Sequence, residues 1–161
     1  MNTLEAIRKR RSIRRYTGAP IPRQDIETIV DAGHWAASGY NRQAWDFVVV
    51  TRPETLARLA EVWSWIDKAG FVVAVVMDTS AEFWQQDSSA AVENMLLAAT
   101  ALGYGSCWLE GGTIRHEQAF KSLLHVPEER RLTTLVSFGV PVEWPEKEKK
   151  PLEQVLHWET F

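Results

Sequence analysis

The sequence predicts one layered domain that mixes helices and strands, of the α/β or α+β class. The chain has 161 residues, which suits one domain with a sizeable hydrophobic core. Hydrophobic residues make up 45% and charged residues 24%, as in an ordinary globular protein. Four strand-like apolar runs are interleaved with helical patterns, and this mixed order argues against a repeat protein.

The first third of the chain predicts two helices and one strand. A short helix over residues 3–9 precedes a basic stretch, and the sequence GAPIP at 18–22 interrupts regular structure. Apolar residues then recur at helical spacing from Pro22 to about Ala37. A polar loop over 38–41 leads into the run WDFVVV at 45–50, which is typical of a strand.

The middle of the chain predicts a buried strand between two helices. Thr51 and Glu54 stand at capping-box spacing, so a helix should begin there. The run FVVAVVM at 71–77 is apolar at every position, as expected of a strand that is buried on both faces. The longest helix, from about Ser88 to Leu102, is apolar around most of its circumference, which indicates the core or a dimer interface.

The last third predicts two strands, a helix and an irregular tail. GSCWLEGG at 105–112 is typical of a strand that enters a glycine turn, and Thr113 should cap a helix that ends near Leu124. A final strand is expected over 131–142. The remaining tail, 143–161, is long for an unstructured segment and carries several apolar side chains, so we expect it to pack on a partner subunit.

Two basic clusters stand out in a chain whose net charge is −3. The stretch KRRSIRRY at 9–16 surrounds one hydroxyl, that of Ser12, with Lys9, Arg10, Arg11, Arg14 and Arg15. Near the other end lie Lys147, Lys149 and Lys150. Guanidinium groups and a serine hydroxyl suit phosphate oxygens, so the two clusters could converge on one phosphate. A plain solvated helix end remains an alternative for the first cluster.

Several other functions find little support in the sequence. Nucleic-acid binding is disfavoured because no second basic face accompanies the first cluster. No metal site is expected, because the four histidines lack ligand spacing with one another or with Cys107. The phosphate loop GxxxxGK[ST] is absent, and so is a GxGxxG between a strand and a helix.

The expected location is the cytoplasm. Cys107 is the only cysteine, which excludes an intramolecular disulfide and fits a reducing compartment; in a buried strand its thiol should be inert. The first residues show no secretory signal, and the longest apolar run, 71–77, is too short to span a membrane.

Four stretches together resemble the nitroreductase family of flavin enzymes. They are RRSIRRY at 10–16, SGYNRQAW at 38–45, QDSSAAVENMLLAATALGYGSCWLEGG at 86–112 and the closing GVPVEWPEKEKKPLEQVLHWETF at 139–161. The resemblance implies one FMN-binding domain over 1–161, of the α+β class, with a central mixed or antiparallel sheet flanked by helices. It also implies a homodimer with FMN at the subunit interface and NADH or NADPH as co-substrate.

The resemblance further implies a set of cofactor-binding residues and no catalytic side chain, because FMN carries the chemistry. The set is Arg10, Arg11, Ser12, Arg14, Ser38, Asn41, Glu110, Gly111, Lys147 and Lys149.

Within this set, Arg10 and Ser12 match the family's phosphate and ribityl contacts, and Arg14 matches a cation near the flavin pyrimidine edge. Lys147 and Lys149 would complete the phosphate site.

The other matched residues would lie near the flavin ring. Ser38 and Asn41 match residues that reach the flavin of the other subunit. The backbone of Glu110 and Gly111 would face flavin N5.

One departure from the family bears on the substrate. Residues 79–88 replace a longer helical segment that covers the flavin in larger members, so the substrate pocket should be more open, with Trp65 or Trp84 as a wall. The expected reaction passes hydride from NAD(P)H through flavin N5 to a nitroaromatic or a quinone. The alternatives are a flavin carrier or sensor without turnover, and a specialised flavin enzyme such as a dehalogenase or a flavin-fragmenting enzyme.

Overall fold

A single four-stranded antiparallel sheet lies at the centre of the molecule, described by a computed structural model that covers residues 1–161. Its strands are β1 (Trp45–Val50), β2 (Phe71–Met77), β3 (Gly105–Leu109) and β4 (Arg131–Gly139). The spatial order is β1-β2-β4-β3, and every neighbouring pair is antiparallel. The α+β class and the antiparallel sheet are therefore confirmed.

Six helices surround the sheet. They are α1 (Thr3–Lys9), α2 (Arg23–His34), α3 (Pro53–Ala60), α4 (Trp84–Ala101), α5 (Gly111–Arg115) and α6 (Glu117–Leu124). Short 3-10 turns occupy Gly39–Asn41, Ser64–Lys68 and Leu152–Gln154. None of the helices is both long enough and apolar enough to cross a membrane.

Strand β2 separates two hydrophobic cores, one on each face of the sheet. Its odd-numbered residues join α2 and α4 in the first core, and its even-numbered residues join α3 and α6 in the second. All seven β2 residues are buried, as the continuous apolar run predicts. In the first core the rings of Phe71 and Phe138 stack with their centroids 4.6 Å apart, so this pair fixes one end of the β2–β4 register.

Helix α4 lies in the first core, as its apolar circumference predicts, and begins at Trp84, four residues before the predicted start. It packs closely on α2 because Gly33 has no side chain. A Cβ at Gly33 would lie 2.8 Å from Cγ of Met95, too close for any larger residue without movement.

Two predicted helix caps are wrong. Helix α3 begins at Pro53 with Arg52 as its N-cap residue, so Thr51 does not cap it. Thr113 lies inside α5, and its buried hydroxyl donates to the carbonyl of Leu109. The predicted helix after Thr113 is split in two, because α5 ends before His116 and α6 begins after it.

The ends of two further elements also differ from the predictions. Helix α2 ends at His34, three residues before Ala37. Strand β4 ends at Gly139, three residues before Val142. Beyond β4 the backbone turns to the basic stretch instead, because Val140 accepts from the N–H of Thr17 at 3.0 Å.

Candidate functional site

The basic stretch runs along the outer edge of β3. Ser12 lies beside Ser106 in a parallel bridge, and the N–H of Ile13 donates to the Ser106 carbonyl at 2.8 Å. The side chain of Ile13 is buried, whereas Ser12 and Arg14 are exposed. The apolar residue thus fixes the stretch to the sheet, and the polar residues face outward.

Tyr16 anchors the same stretch to β4. Its hydroxyl lies 2.9 Å from the carbonyl oxygen of Ile13 and 3.0 Å from Oγ of Ser137. Its ring covers Gly139, where a Cβ would lie only 2.5 Å from the ring. Burial raises the pKa of Tyr16 well above its ordinary value, so the hydroxyl stays protonated and remains a hydrogen-bond donor.

The C-terminal segment returns to this stretch after β4. The N–H of Val142 donates to the carbonyl of Arg15 at 3.0 Å, and the guanidinium of Arg15 pairs with Glu143 at 2.7 Å. The ammonium of Lys9 lies over the ring of Trp144, 4.9 Å from its centroid. Lys9 and Arg15, which are outside the predicted cofactor-binding set, therefore hold the two ends of the chain together.

Where the two ends meet, they form a recess of about 180 Å³. Its lining residues are Arg10, Arg11, Ser12, Arg14, Pro145, Lys147, Glu148 and Lys149. Five of these eight are cations, and only one is a carboxylate. We call this site the basic recess; its charge and its hydroxyl suit an anion with several negative oxygens.

Three arginines of the basic recess have different surroundings. Arg10 is 3.3 Å from Glu93 of α4, and its side chain is only a quarter exposed. Arg14 lies over the ring of Trp65 at 5.9 Å. Arg11 donates to backbone carbonyls rather than to a carboxylate. Arg10 and Arg14 are thus oriented by a neighbouring side chain, while Arg11 is oriented by the backbone.

Ser38 and Asn41 lie outside the basic recess, in the loop between α2 and β1. Oγ of Ser38 accepts from the N–H of Gln43 at 3.1 Å. Tyr40, Asn41 and Gln43 all have a positive φ, between 49° and 54°, which is unfavourable for most residues other than glycine and asparagine. Contacts with α4 hold this shape, since the N–H of Gly39 donates to the buried carboxylate of Asp87 at 2.9 Å.

Glu110 and Gly111 are exposed at the far end of β3. Ser106, which pairs with Ser12, is four residues before Glu110, so β3 separates the basic recess from Glu110 by about 13 Å. The next residue, Gly112, is buried against Trp63, where a Cβ would lie 2.2 Å from the indole ring. Trp63 therefore packs directly beneath the turn at Glu110.

The two tryptophans expected near a substrate have different neighbours. Trp65 lies against Arg14, and its indole N–H is buried without a hydrogen-bond partner. Trp84 lines a small cavity of about 130 Å³ together with Trp108 and Glu110.

Comparison with known proteins identifies the family. The model of the nitroreductase family matches residues 7–65 and 62–140. This chain belongs to the nitroreductase family. A relative from Archaeoglobus fulgidus, named "Putative NADH dehydrogenase/NAD(P)H nitroreductase", is 39% identical over 148 residues, which cover 86% of this chain and 84% of the relative.

Two solved structures share the nitroreductase fold over the whole of this chain. A crystal structure from Desulfovibrio desulfuricans in complex with FMN is 32% identical, covers 100% of this chain and 98% of its own, and has a TM-score of 0.86. The NADPH:FMN oxidoreductase from Vibrio harveyi, complexed with NAD⁺, is 27% identical with a TM-score of 0.88. That match covers all of this chain and 78% of the Vibrio chain.

In this nitroreductase the single cysteine is not a candidate nucleophile. Cys107 lies in β3 and is 1% exposed. Burial raises the pKa of its thiol, and the nearby Arg14 lowers it by less. The thiol therefore stays protonated at neutral pH, a form that is a poor nucleophile.

Sequence reasoning missed the contacts that close the basic recess. Trp144 carries no local signal for its contact with Lys9, because the two residues come from opposite ends of the chain. The three carbonyl contacts of Arg11 had no signal either, since carbonyl positions depend on the backbone fold.

Proposed function

We propose that residues 1–161 form one FMN-binding domain of an oxidoreductase. Its reductant would be NADH or NADPH, and its acceptor a nitroaromatic or a quinone. The observation that carries this proposal is the basic recess, in which both ends of the chain supply cations to one small volume. When bound, FMN supplies the redox chemistry: it takes up hydride from the nicotinamide and passes it to the acceptor in ping-pong order.

The residues of the basic recess fit the phosphate of FMN. A phosphate monoester carries about 1.5 to 2 negative charges at pH 7. Arg10, Lys147 and Lys149 supply cations, and the exposed hydroxyl of Ser12 supplies a short directional donor. Charge-assisted hydrogen bonds of this kind would hold and orient the phosphate end of the cofactor.

Arg14 would act on the flavin ring. It lines the basic recess, and its guanidinium is held over the face of Trp65. In this position it would stabilise negative charge on the pyrimidine edge of the ring, which favours the reduced cofactor. The exposed backbone of Glu110 and Gly111 would face N5 at the other end of β3.

A homodimer accounts for the residues that lie apart from the basic recess. Ser38 and Asn41 do not line the recess of their own subunit. On a partner subunit they would reach the flavin of the first. The apolar side chains of the tail point to the same assembly, because all of them are exposed in the subunit: Leu152, Val155, Leu156, Trp158 and Phe161.

A second copy of the chain offers a suitable binding site for the tail. A cleft of about 890 Å³ lies between α2 and β1, and β1 is an edge strand of the sheet. Its lining includes Trp45, Phe47 and Val49 of β1 and Glu27 and Asp31 of α2. The apolar part of this lining matches the apolar side chains of the tail.

The test of the proposed reaction is optical. We expect the purified protein to show the visible spectrum of FMN, to bleach when NADH or NADPH is added without oxygen, and to regain colour with a nitroaromatic or a quinone. A colourless protein that neither binds added FMN nor responds to NAD(P)H would falsify the proposal. A yellow protein that NAD(P)H does not reduce would instead be a flavin carrier or sensor.

Arg10→Ala and Lys147→Ala should each weaken FMN binding by about 1.5–3 kcal/mol, or roughly ten- to a hundredfold in Kd, because each removes a charged hydrogen bond to phosphate. Titration of flavin-stripped protein with FMN measures the change. The matched control is Arg58→Ala, which removes an exposed arginine on α3 far from the recess. Unchanged FMN affinity in both recess variants would place the phosphate elsewhere.

A further inference from the structure

We propose that Arg11 is a positioning residue, which acts on FMN through Lys147 rather than by direct contact with the phosphate. It would hold the C-terminal lysines against the basic recess and thereby complete the phosphate site. This inference rests on the proposed FMN site and assigns Arg11 a role different from the direct contact expected from the sequence.

The guanidinium of Arg11 is largely committed to backbone carbonyls. Nη1 donates to the carbonyls of Arg8 at 2.6 Å and Arg10 at 2.7 Å, and Nη2 donates to the carbonyl of Lys147 at 3.3 Å. A guanidinium has five N–H groups. Three are used in these bonds, and Nε is buried away from solvent without a partner. Only one N–H, on Nη2, is left for a ligand.

The first two carbonyls lie at the C-terminal end of α1, where carbonyl groups lack partners within the helix and carry partial negative charge. A guanidinium is a natural partner for such a helix end. These two bonds fix the direction of the Arg11 side chain, so its remaining Nη2 arm has a defined position from which to bind the returning chain.

The bond to Lys147 is the last hydrogen bond between the C-terminal segment and the rest of the subunit. Before it, the segment is held at Val142, Glu143 and Trp144. Beyond it, backbone hydrogen bonds join only residues 151–160 to one another. Arg11 therefore determines where residues 145–149 lie relative to the recess.

This contact leaves the lysine side chains free for the ligand. Arg11 binds the carbonyl of Lys147 and not its ammonium group, and the side chains of Lys147 and Lys149 are exposed in the recess. Without the contact, both lysines would lie on a mobile segment. Phosphate binding would then have to overcome the entropic cost of ordering that segment. Arg11 thus positions the hydrogen-bond donors of Lys147 and Lys149 before the phosphate binds.

The first experiment compares FMN with riboflavin, which has the same ring and ribityl chain but no phosphate. We expect Arg11→Met to weaken FMN binding roughly ten- to a hundredfold and riboflavin binding less than about threefold. Arg11→Lys should behave like Arg11→Met, because an ammonium lacks the planar fork whose Nη1 binds the Arg8 and Arg10 carbonyls while its Nη2 reaches the carbonyl of Lys147. Near wild-type FMN affinity in Arg11→Lys would mean that the charge itself contacts the phosphate, and would overturn the proposal.

A double-mutant cycle with Lys147→Met tests the route of the effect. If Arg11 acts through Lys147, the double variant should bind FMN within about threefold of the weaker single variant. If Arg11 and Lys147 contacted the phosphate independently, their effects on the Kd for FMN would multiply, and this result would contradict the proposal. An equal loss of FMN and riboflavin, together with a lower melting temperature, would also contradict it, because Arg11 would then only stabilise the fold.

A third measurement does not depend on flavin. Trypsin should cleave the flavin-free chain after Lys147 and Lys149 several times faster in Arg11→Met than in wild type, because the segment is released from the recess. Equal cleavage rates would rule out the positioning role. If wild-type protein binds no FMN but is still cleaved more slowly than Arg11→Met, the cofactor proposal fails while the structural role of Arg11 stands.

Discussion

Removal of residues 151–161 should convert the protein into a monomer that retains no FMN. Burial of an apolar side chain of this size contributes about 1.5–3 kcal/mol, so the five exposed apolar residues of each tail represent roughly 7–15 kcal/mol of interface. Without them, the remaining contacts would have to offset the entropic cost of association alone. Light scattering coupled to size-exclusion chromatography gives the mass, and the visible absorbance gives the flavin content.

A full-length variant separates the apolar contacts from the length of the tail. Replacement of the five apolar tail residues by serine should give the same flavin-free monomer as the truncation. The substituted residues are Leu152, Val155, Leu156, Trp158 and Phe161. A truncated chain that remains a flavin-loaded dimer would contradict our interpretation of the tail and would place the interface elsewhere, for example on α4.

Tyr16→Ala should lower the free energy of unfolding by about 3–5 kcal/mol, because it leaves a large cavity between the basic stretch and β4. Tyr16→Phe keeps the ring and should cost about 1–3 kcal/mol, since the carbonyl of Ile13 and the hydroxyl of Ser137 lose a buried partner. Urea denaturation of flavin-free protein, at one fixed protein concentration, measures the free energy of unfolding of both variants.

The matched control is Tyr40→Ala, because Tyr40 is 79% exposed and its removal leaves no cavity. A loss of less than about 1 kcal/mol in Tyr16→Ala would show that the basic stretch is not anchored by this ring. Tyr16→Ala should also weaken FMN binding, because Ser12 and Arg14 lose their fixed position on β3.

The sheet was largely predictable because its signals are local. Strands β1 and β2 have the predicted bounds, since an apolar run reports directly on burial. The two helix-cap predictions were wrong because capping depends on which hydrogen-bond partners the fold supplies. Thr113 stands where a cap was expected, but the carbonyl of Leu109 lies within its reach and takes its hydroxyl.

The candidate site was predictable in its residue types but not in its internal contacts. The basic clusters near Ser12 and Lys147 were visible as charge patterns. The bond from Arg11 to the carbonyl of Lys147 was not, because it depends on the path of the backbone. The backbone conformation of the loop at Ser38 could not be predicted from its residues either. Of its three residues with a positive φ, only Asn41 is of a type that favours this conformation.

The basic recess joins residues near position 10 to residues near position 149, so it has a consequence for biosynthesis. Contacts between such distant parts of the chain form only after the residues up to about position 149 have been made. The sheet, by contrast, is complete by Gly139. A ligand stabilises only the form that binds it. An anion in the recess therefore cannot assist the nascent chain before about position 149 has been made, although the sheet is complete ten residues earlier.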